Sequence, residues 1–186
     1  MLGPEVARAA VRDHLALHVP AALAKIRTAA GDTNPADPTG YLLADSVAEA
    51  DINKPGRFPV ILVRAPGLDE RDPFITDGGR NWTFRYDMEI AILVDTSKFA
   101  DHAGSSVGRD RLMLAVREVL WTQRTVSPAA EIAMRPYKEK TGEVAHETRQ
   151  GRPLSAGEIY FQLDQEEPFD PLPLVTDAEA SIEAFT

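Results

Sequence analysis

The sequence contains no cysteine, so disulfide bonds and thiolate metal sites are excluded. Basic residues are also scarce: 20 lysines and arginines against 29 acidic residues give a formal net charge of −9. A protein that binds DNA needs cationic groups to displace counterions from the phosphates. The excess of acidic residues therefore argues against binding to nucleic acids or anionic membranes. With 44% hydrophobic residues, the 186-residue chain can still bury the core of one domain.

Long apolar runs are absent as well. No stretch approaches the ~18 consecutive apolar residues that cross a bilayer. The first residues, MLGPEVARAAVRDHL, lack the basic start, the apolar run and the cleavage site of a signal peptide. We therefore expect the protein in the cytoplasm, or in a particle that is assembled there.

The signatures of common enzyme sites are missing too. The glycine pairs in TDGGRN and GSSVG match neither the phosphate-binding loop nor the dinucleotide fingerprint, and there is no nucleophile elbow. His14 and His18 stand four residues apart, a spacing that can hold a metal, but no third ligand accompanies them. Four carboxylates precede the long strand and are interpreted as a solvated loop: Asp69, Glu70, Asp72 and Asp77. We expect no catalytic residues, no metal site and no cofactor.

The clearest positive signal is RNWTFRYDMEIAILVD, residues 80–95, which alternates apolar and polar residues over its first half. One parity is apolar: Trp82, Phe84, Tyr86, Met88, Ile90, Ile92 and Val94. The pattern predicts a strand of ~14 residues with one solvated face at its beginning and two buried faces beyond Ile90. Base-stacking platforms interleave aromatic residues with lysine and arginine, whereas the interleaving residues beyond Arg85 are Asp87 and Glu89, which favours a core or a subunit interface.

Other segments predict the elements around this strand. Residues 4–29 follow a helical pattern with a stop at Gly31 and a break or kink at Pro20, and residues 31–40 form a loop. Residues 57–67 predict a strand, and GRDRLMLAVREVLWTQR predicts a helix that Ser105 or Ser106 caps. Two weak strand candidates lie around 130–137 and 143–149, and GEIYFQLDQEEP predicts a final strand with Ile159 on its apolar face.

This order of elements predicts an α+β fold, an antiparallel β-sheet with helices packed on one face, plus an extended C-terminal arm. We place the domain at residues 1–166, with 31–56 as a loop or insertion. Residues 167–186 form an acidic, proline-containing arm that we expect to order against a partner. Interface candidates come from the long strand, the polar side of the second helix and the arm: Trp82, Phe84, Tyr86, Arg109, Arg111, Arg117, Phe169, Ile182 and Phe185. Reversing the charges of the three arginines is expected to disturb assembly more than folding.

The layout resembles that of tail terminator proteins of long-tailed (siphovirus-like) bacteriophages, particularly those that infect actinobacteria. The segments that carry the resemblance are VARAAVRDHLALHVPAALAKI, RFPVILVRAPG, WTFRYDMEIAILVD, GRDRLMLAVREVLW and GEIYFQLD. Together they cover most of residues 4–166, as a pattern and without a diagnostic motif.

The resemblance implies a non-enzymatic virion protein in the neck region of the tail. Such a subunit assembles with itself into a ring, expected to be a hexamer, that caps the tube of major tail proteins and then meets the head-completion protein. DNA would pass through the lumen without sequence-specific binding, and no membrane partner is implied. The alternatives are another head–tail connector, a stopper or an injection-system cap. From a different class, a small-molecule-binding domain or hydrolase would use a pocket near Asp69–Asp77 and His102.

Overall fold

The computed structural model describes residues 3–43, 58–68, 74–76, 81–95, 102–144 and 154–168. Within these ranges the helices are α1 (Pro4–Ala30) and α2 (His102–Thr122). The strands are β1 (Gly40–Leu43), β2 (Val60–Leu68), β3 (Phe74–Thr76), β4 (Asn81–Asp95), β5 (Thr125–Ser127), β6 (Ala130–Val144) and β7 (Leu154–Pro168). The predicted α+β class is confirmed.

The first helix begins and ends where its sequence predicts. Pro4 occupies the first turn, where its missing N–H removes no helical hydrogen bond. Gly31 ends the helix with φ 71°, in the left-handed region that glycine adopts without strain. The helix continues through Pro20 and does not divide in two. Val19 and Leu23 are buried on either side of it, and this packing maintains the helix across the lost hydrogen bond.

The strands form one sheet in the order β1-β2-β4-β7-β6-β5, and β3 pairs with the beginning of β4. The β1–β2 pair is parallel, and the other strand pairs within the described residues are antiparallel. β4 and β7 pair without interruption from Asn81–Pro168 to Asp95–Leu154. At ~3.3 Å per residue, strands of this length extend roughly 50 Å. The sheet is therefore built around one long central pair.

The core lies between the sheet and the two helices, which pack on the same face. The helices run antiparallel, since Lys25 Nζ lies 3.5 Å from Glu118 Oε1 and Asn34 packs against Gly108. The buried stripe of α2 is the predicted one: Leu112, Ala115, Val116, Val119 and Leu120. It faces fully buried side chains of the sheet, including Ile61, Met88, Ile90, Ile92, Ile159, Phe161 and Leu163. The prediction of helices on one face is confirmed.

A smaller apolar cluster occupies the opposite face of the sheet. It consists of Phe58, Val60, Leu62, Ala91, Leu93, Leu154 and Ala156. Ala91 and Leu93 are the β4 residues that were expected to be buried on the second face beyond Ile90, and that expectation is confirmed.

Several boundaries differ from the sequence-based predictions. α2 begins at His102, so Ser105 and Ser106 lie inside the helix and do not cap it. The weak candidates at 130–137 and 143–149 are replaced by the single strand β6, with residues 145–149 outside the described ranges. β1 lies within the segment 31–56 that was assigned to a loop or insertion, and β7 runs two residues past the predicted domain end.

Candidate interaction surface

The apolar side chains of β4 belong mainly to the core of the single subunit. Tyr86 is buried, and its hydroxyl donates a 2.7 Å hydrogen bond to Glu167 Oε1 on β7. Burial, together with this carboxylate, raises the pKa of Tyr86 far above its usual value. Trp82 and Phe84 are half-buried nearer the beginning of the strand. Tyr86 therefore stabilises the fold, and of these three interface candidates only Trp82 and Phe84 reach solvent.

The polar series of β4 is more buried than its sequence predicts. Thr83 and Glu89 are only 4% and 8% exposed, so the expected solvated face is wrong at these positions. Partners on neighbouring strands explain the difference. Arg64 Nη1 donates a 2.8 Å hydrogen bond to Glu89 Oε1, and Gln162 Nε2 donates one of 3.0 Å to Asp87 Oδ1. Charged groups can be withdrawn from water here because each meets a partner across the strands.

The contact between Arg85 and Asp164 is bidentate, with two hydrogen bonds of 2.7 Å between half-buried side chains. We expect Asp164→Ala to destabilise the subunit by about 2 kcal/mol, because Arg85 loses this carboxylate in a partly desolvated position. A double-mutant cycle with Arg85→Ala, measured by urea unfolding, should give a coupling of about 1–2 kcal/mol.

The matched control for this cycle is the pair Arg12 and Asp13, whose hydrogen bond is also 2.7 Å but solvent-exposed. Its coupling is expected to stay below about 0.5 kcal/mol, since water screens exposed ion pairs. Equal couplings in the two cycles would contradict a stabilising role for the pair on the sheet.

Tyr160 is the centre of a second group of polar contacts, on the face of the sheet away from the helices. Its hydroxyl donates a 2.7 Å hydrogen bond to Glu158 Oε2 and accepts one of 3.2 Å from Lys140 Nζ. The hydrogen bonds to Tyr160 lower the pKa of Glu158 and raise that of Lys140, while burial raises the pKa of Tyr160 itself. Each group is thus held in its ordinary charge state near neutral pH, whereas an acid–base catalyst has a pKa close to the working pH.

Two of the α2 arginines bind other parts of their own subunit. Arg111 Nη1 donates to the carboxylate of Asp32 and, at 2.6 Å, to the carbonyl oxygen of Asn34. Arg109 Nη1 donates a 3.1 Å hydrogen bond to Ser155 Oγ on β7. In contrast with the prediction from the sequence, charge reversal at either arginine is therefore expected to weaken the fold.

Apolar and cationic side chains share the solvent-exposed surface where α2 meets β6. We define this α2–β6 surface by Leu114, Arg117, Trp121, Arg135 and Tyr137. Met134, Lys138 and Lys140 lie on the other face of β6, where they pair with Gln162, Tyr160 and Glu158. The three large apolar side chains of the α2–β6 surface are 40–51% exposed. The Arg135 guanidinium carbon lies 5.0 Å from the centre of the Trp121 ring and links the strand to the helix. Exposed apolar groups of this size, gathered in one place, indicate an interaction surface.

Most of the outer edge of β6 is unpaired within the described residues. β5 pairs with only the first two residues of β6, whereas β6 continues to Val144. Pro136, two shifts in register against β7, and the exposed Lys138 and Lys140 all lie along this edge. These are the features by which proteins prevent uncontrolled strand pairing. The edge is therefore suited to contacts through side chains rather than to the addition of a strand.

Sequence reasoning identified only Arg117 of this surface. A signal for two further residues was present: Leu114 and Trp121 are seven residues apart, on one side of α2 and outside its buried stripe. On β6 the corresponding signal was hidden, because the irregular pairing near Pro136 breaks the two-residue alternation of a strand.

His14 and His18 lie side by side on α1, with ring centres 4.7 Å apart. His14 is buried, and its Nε2 has no hydrogen-bond partner among the described residues. Burial, followed by the charge of His18, lowers the pKa of His14, and a backbone hydrogen bond with Gln123 opposes this. In the described part of the chain, no group of three or more potential ligands could hold a metal ion. The sequence favoured two surface or interface histidines over a metal site, and a surface position is wrong for His14 because its ring is buried.

We expect His14 to make the subunit less stable as the pH falls below about 6.5, the pKa of an unfolded histidine. Because its pKa is lowered in the folded state, the unfolded chain binds the proton more readily, and stability rises with pH in this window. Between about pH 7.5 and about pH 5.5, the free energy of unfolding measured in urea should fall further for the wild type than for His14→Leu. The difference that His14 makes is at most about 1.4 kcal/mol per pH unit. The same pH dependence in both proteins would rule out this assignment.

One open depression of about 260 Å³ is lined by Thr83, Ser127, Glu131 and Asp164, among others, and its lining contains no histidine, lysine or arginine. None of the described helices is long and apolar enough to span a membrane. Some predictions fall outside the described residues, namely those on Asp69, Glu70, Asp72, Asp77, Phe169, Ile182 and Phe185.

Comparison with known proteins adds no relative. No model of a known protein family matches the chain, and no curated protein matches it. The inference of function therefore depends on the surfaces described above and on the pattern of the sequence.

Proposed function

We propose that this protein is a tail terminator subunit of a long-tailed bacteriophage. It assembles into a ring, expected to contain six copies, that caps the tail tube and ends its polymerisation. The same ring then joins the tail to the head-completion proteins. The α2–β6 surface is the observation that carries this proposal. Three of the eight exposed large apolar residues in the described chain lie there, including both aromatic ones. A subunit with such a surface is suited to association.

The arrangement of the sheet also supports a ring. Its two ends differ: one carries the short parallel strand β1, and the other carries the long edge of β6 beside α2. A ring grows when each subunit presents two different surfaces to its two neighbours, and the rotation between them fixes the number of copies. The elements on which the resemblance rests, α1, β2, β4, α2 and β7, are all present in that order.

The charge of the chain is compatible with a channel for DNA. The net charge is −9, while two cations, Arg117 and Arg135, lie on the α2–β6 surface. If the ring contacts use this surface, the remaining exposed charge is more strongly acidic. Acidic walls deny phosphates a binding site, so DNA can pass through the lumen without adhering.

The proposal is tested with purified protein and tail-tube subunits from the same phage. Electron microscopy should show tubes closed at one end by a ring, and mass measurement should give the number of copies. Trp121→Ala is expected to reduce capping by about tenfold or more, because it removes a large exposed contact residue. Leu17→Ala, a change at a 72% exposed residue of α1, is the control and should cap normally.

Other outcomes decide between the proposal and its alternatives. A protein that stays monomeric and never caps tubes contradicts a tail terminator. Binding to the head-completion ring without any binding to tubes would instead assign a connector or stopper role. A small molecule bound in a cleft beside an ionisable pair would favour the enzyme or ligand-binding alternative.

A further inference from the structure

We infer that residues 44–57 cross the face of the sheet opposite the helices and cover the apolar cluster on that face. The inference goes beyond the proposed function, because it concerns how each subunit completes its own core. It assigns an occupant to a sheet surface that the two helices leave without a partner. Once covered, the cluster offers no apolar contact to neighbouring subunits.

The cluster is buried although both helices lie on the other face of the sheet. Its members are only 0–6% exposed: Phe58, Val60, Leu62, Ala91, Leu93, Leu154 and Ala156. Among the described residues, the side chains that pack in it come from the sheet and from Phe58, whereas the buried apolar residues of α1 and α2 belong to the core on the other side. A sheet face that packs on nothing is in contact with water. A further segment of the chain therefore has to lie over this cluster.

The connection from β1 to β2 is placed to do this. The two strands are parallel neighbours, with Gly40 opposite Val60 and Leu43 opposite Val63. Because both strands run in the same direction, the chain after Leu43 has to return to the beginning of β2 by crossing one face of the sheet. Residues 44–57 are long enough for such a crossover, which needs roughly a dozen residues.

The handedness of crossovers selects the face opposite the helices. β4 and β6 are also parallel, since both are antiparallel to β7, and α2 connects them on the helix face. Crossovers between parallel strands are right-handed in about 98% of cases. The step from β1 to β2 leads in the same direction across the sheet as the step from β4 to β6, but the two pairs of strands point in opposite directions. With the same hand, the β1–β2 crossover therefore lies on the face opposite α2.

The first helix occupies the alternative path. α1 lies against β1 and β2 on the helix face, where Tyr41 and Ile61 pack in the core that it shares with the sheet. A crossover on that side would have to run outside α1 and could not reach the sheet. The face with the cluster carries no described helix, so the connection can pack directly on it.

The composition of residues 44–57 suits a position between a sheet and solvent. Val47 and Ile52, with alanines at 44, 48 and 50, supply apolar contacts, and Asp45, Glu49 and Asp51 supply charges that can face water. The segment thus contains the two kinds of side chain that a cover over an apolar cluster requires.

The other connections fit this position less well. Residues 145–153 contain no large apolar residue and join neighbouring antiparallel strands, and residues 96–101 lead from β4 to α2 on the helix face. Residues 169–186 start from Pro168, which pairs with Asn81 at the end of the sheet away from the cluster. At ~3.3 Å per residue, roughly 40 Å of β7 separates that point from the cluster.

Cross-linking in the cysteine-free protein tests which face the segment covers. In the pair Glu49→Cys with Lys140→Cys, the second thiol lies on the face with the cluster, because Lys140 pairs with Glu158. In the matched control, Glu49→Cys with Thr141→Cys, it lies on the helix face, and both β6 positions are exposed. A short bis-maleimide should join the first pair within one chain at about tenfold or more the yield of the control pair.

Two outcomes of this experiment would overturn the inference. The first is a yield with Thr141→Cys that equals or exceeds the yield with Lys140→Cys. The second is a tenfold higher yield within one chain when Ile182→Cys replaces Glu49→Cys in the Lys140→Cys protein, because the C-terminal segment would then be the occupant.

Thiol labelling measures whether the segment buries its apolar side chains. In the native protein, Ile52→Cys should react with a maleimide about tenfold or more slowly than Glu49→Cys, since only the first thiol has to wait for a local opening. The two rates should become equal in urea. Equal rates in the native protein would contradict the inference. Both experiments use the free subunit, so a negative result leaves the proposed function standing, and a failure to cap tubes leaves this inference standing.

Discussion

Replacing Gly157 with valine is expected to destabilise the subunit by about 3 kcal/mol and to push α2 away from the sheet. Gly157 is the fourth residue of β7 and lies under α2. A Cβ atom added there would overlap Met113 Sδ and lie only 3.0 Å from Met113 Cγ. Met113 is itself buried, so its side chain has to shift to admit the added atoms. The glycine is what allows the helix to approach the strand this closely.

Urea unfolding measures the loss, and two further variants test its cause. Gly157→Ala should cost less, about 1–2 kcal/mol, because a methyl group needs a smaller shift of Met113. Met113→Ala should restore part of the stability in the Gly157→Val background and not in the wild type. Since α2 carries most of the α2–β6 surface, Gly157→Val is also expected to impair association. Wild-type stability in Gly157→Val would show that the helix does not pack at this position.

Phe161→Ala is expected to have the largest effect on stability, a loss of about 3–5 kcal/mol. Phe161 is fully buried at the centre of β7 and faces Met88 of β4 directly across the strands. Its truncation removes apolar burial and leaves a cavity that the long β4–β7 pair cannot close. A loss of this size approaches the lower end of the stability of native domains, about 5 kcal/mol.

The comparison for Phe161→Ala is Tyr137→Ala, at an exposed position of β6. That change should alter the free energy of unfolding by no more than about 0.5 kcal/mol while weakening association. Chemical denaturation of both variants separates the two roles. Similar losses in the two proteins would show that the α2–β6 surface belongs to the core of the subunit.

Local patterns of the sequence were sufficient for the elements that carry a strong period. The four-residue steps of α1, the stripe of α2 and the alternation of β4 each report on which side chains face the core. The apolar face of β7, with Ile159, Phe161 and Leu163, followed from the same rule, and all three are fully buried. These elements define the α+β class.

The remaining features depend on contacts between distant segments, which no local pattern contains. The charged residues of β4 predicted a solvent-exposed face, but they form hydrogen bonds with Arg64, Gln162 and Asp164 on other strands. From the sequence, Arg111 resembled a free surface charge. In the structure it donates a hydrogen bond to the Asp32 carboxylate, which lies in the loop after α1. Pro136 and its irregular pairing concealed β6, and with it Arg135 and Tyr137 of the candidate surface.

The position of β7 in the sheet affects how the protein folds during its synthesis. It is the last described strand to leave the ribosome, yet it lies between β4 and β6. Until residues 154–168 have been synthesised, β4 has no partner on that side, and its apolar residues from Ile90 to Val94 stay available for wrong pairing. Pairing over so many intervening residues is also slow. A nascent chain that stops before β7 is thus expected to bind chaperones or aggregate, and the domain forms only when its final strand arrives.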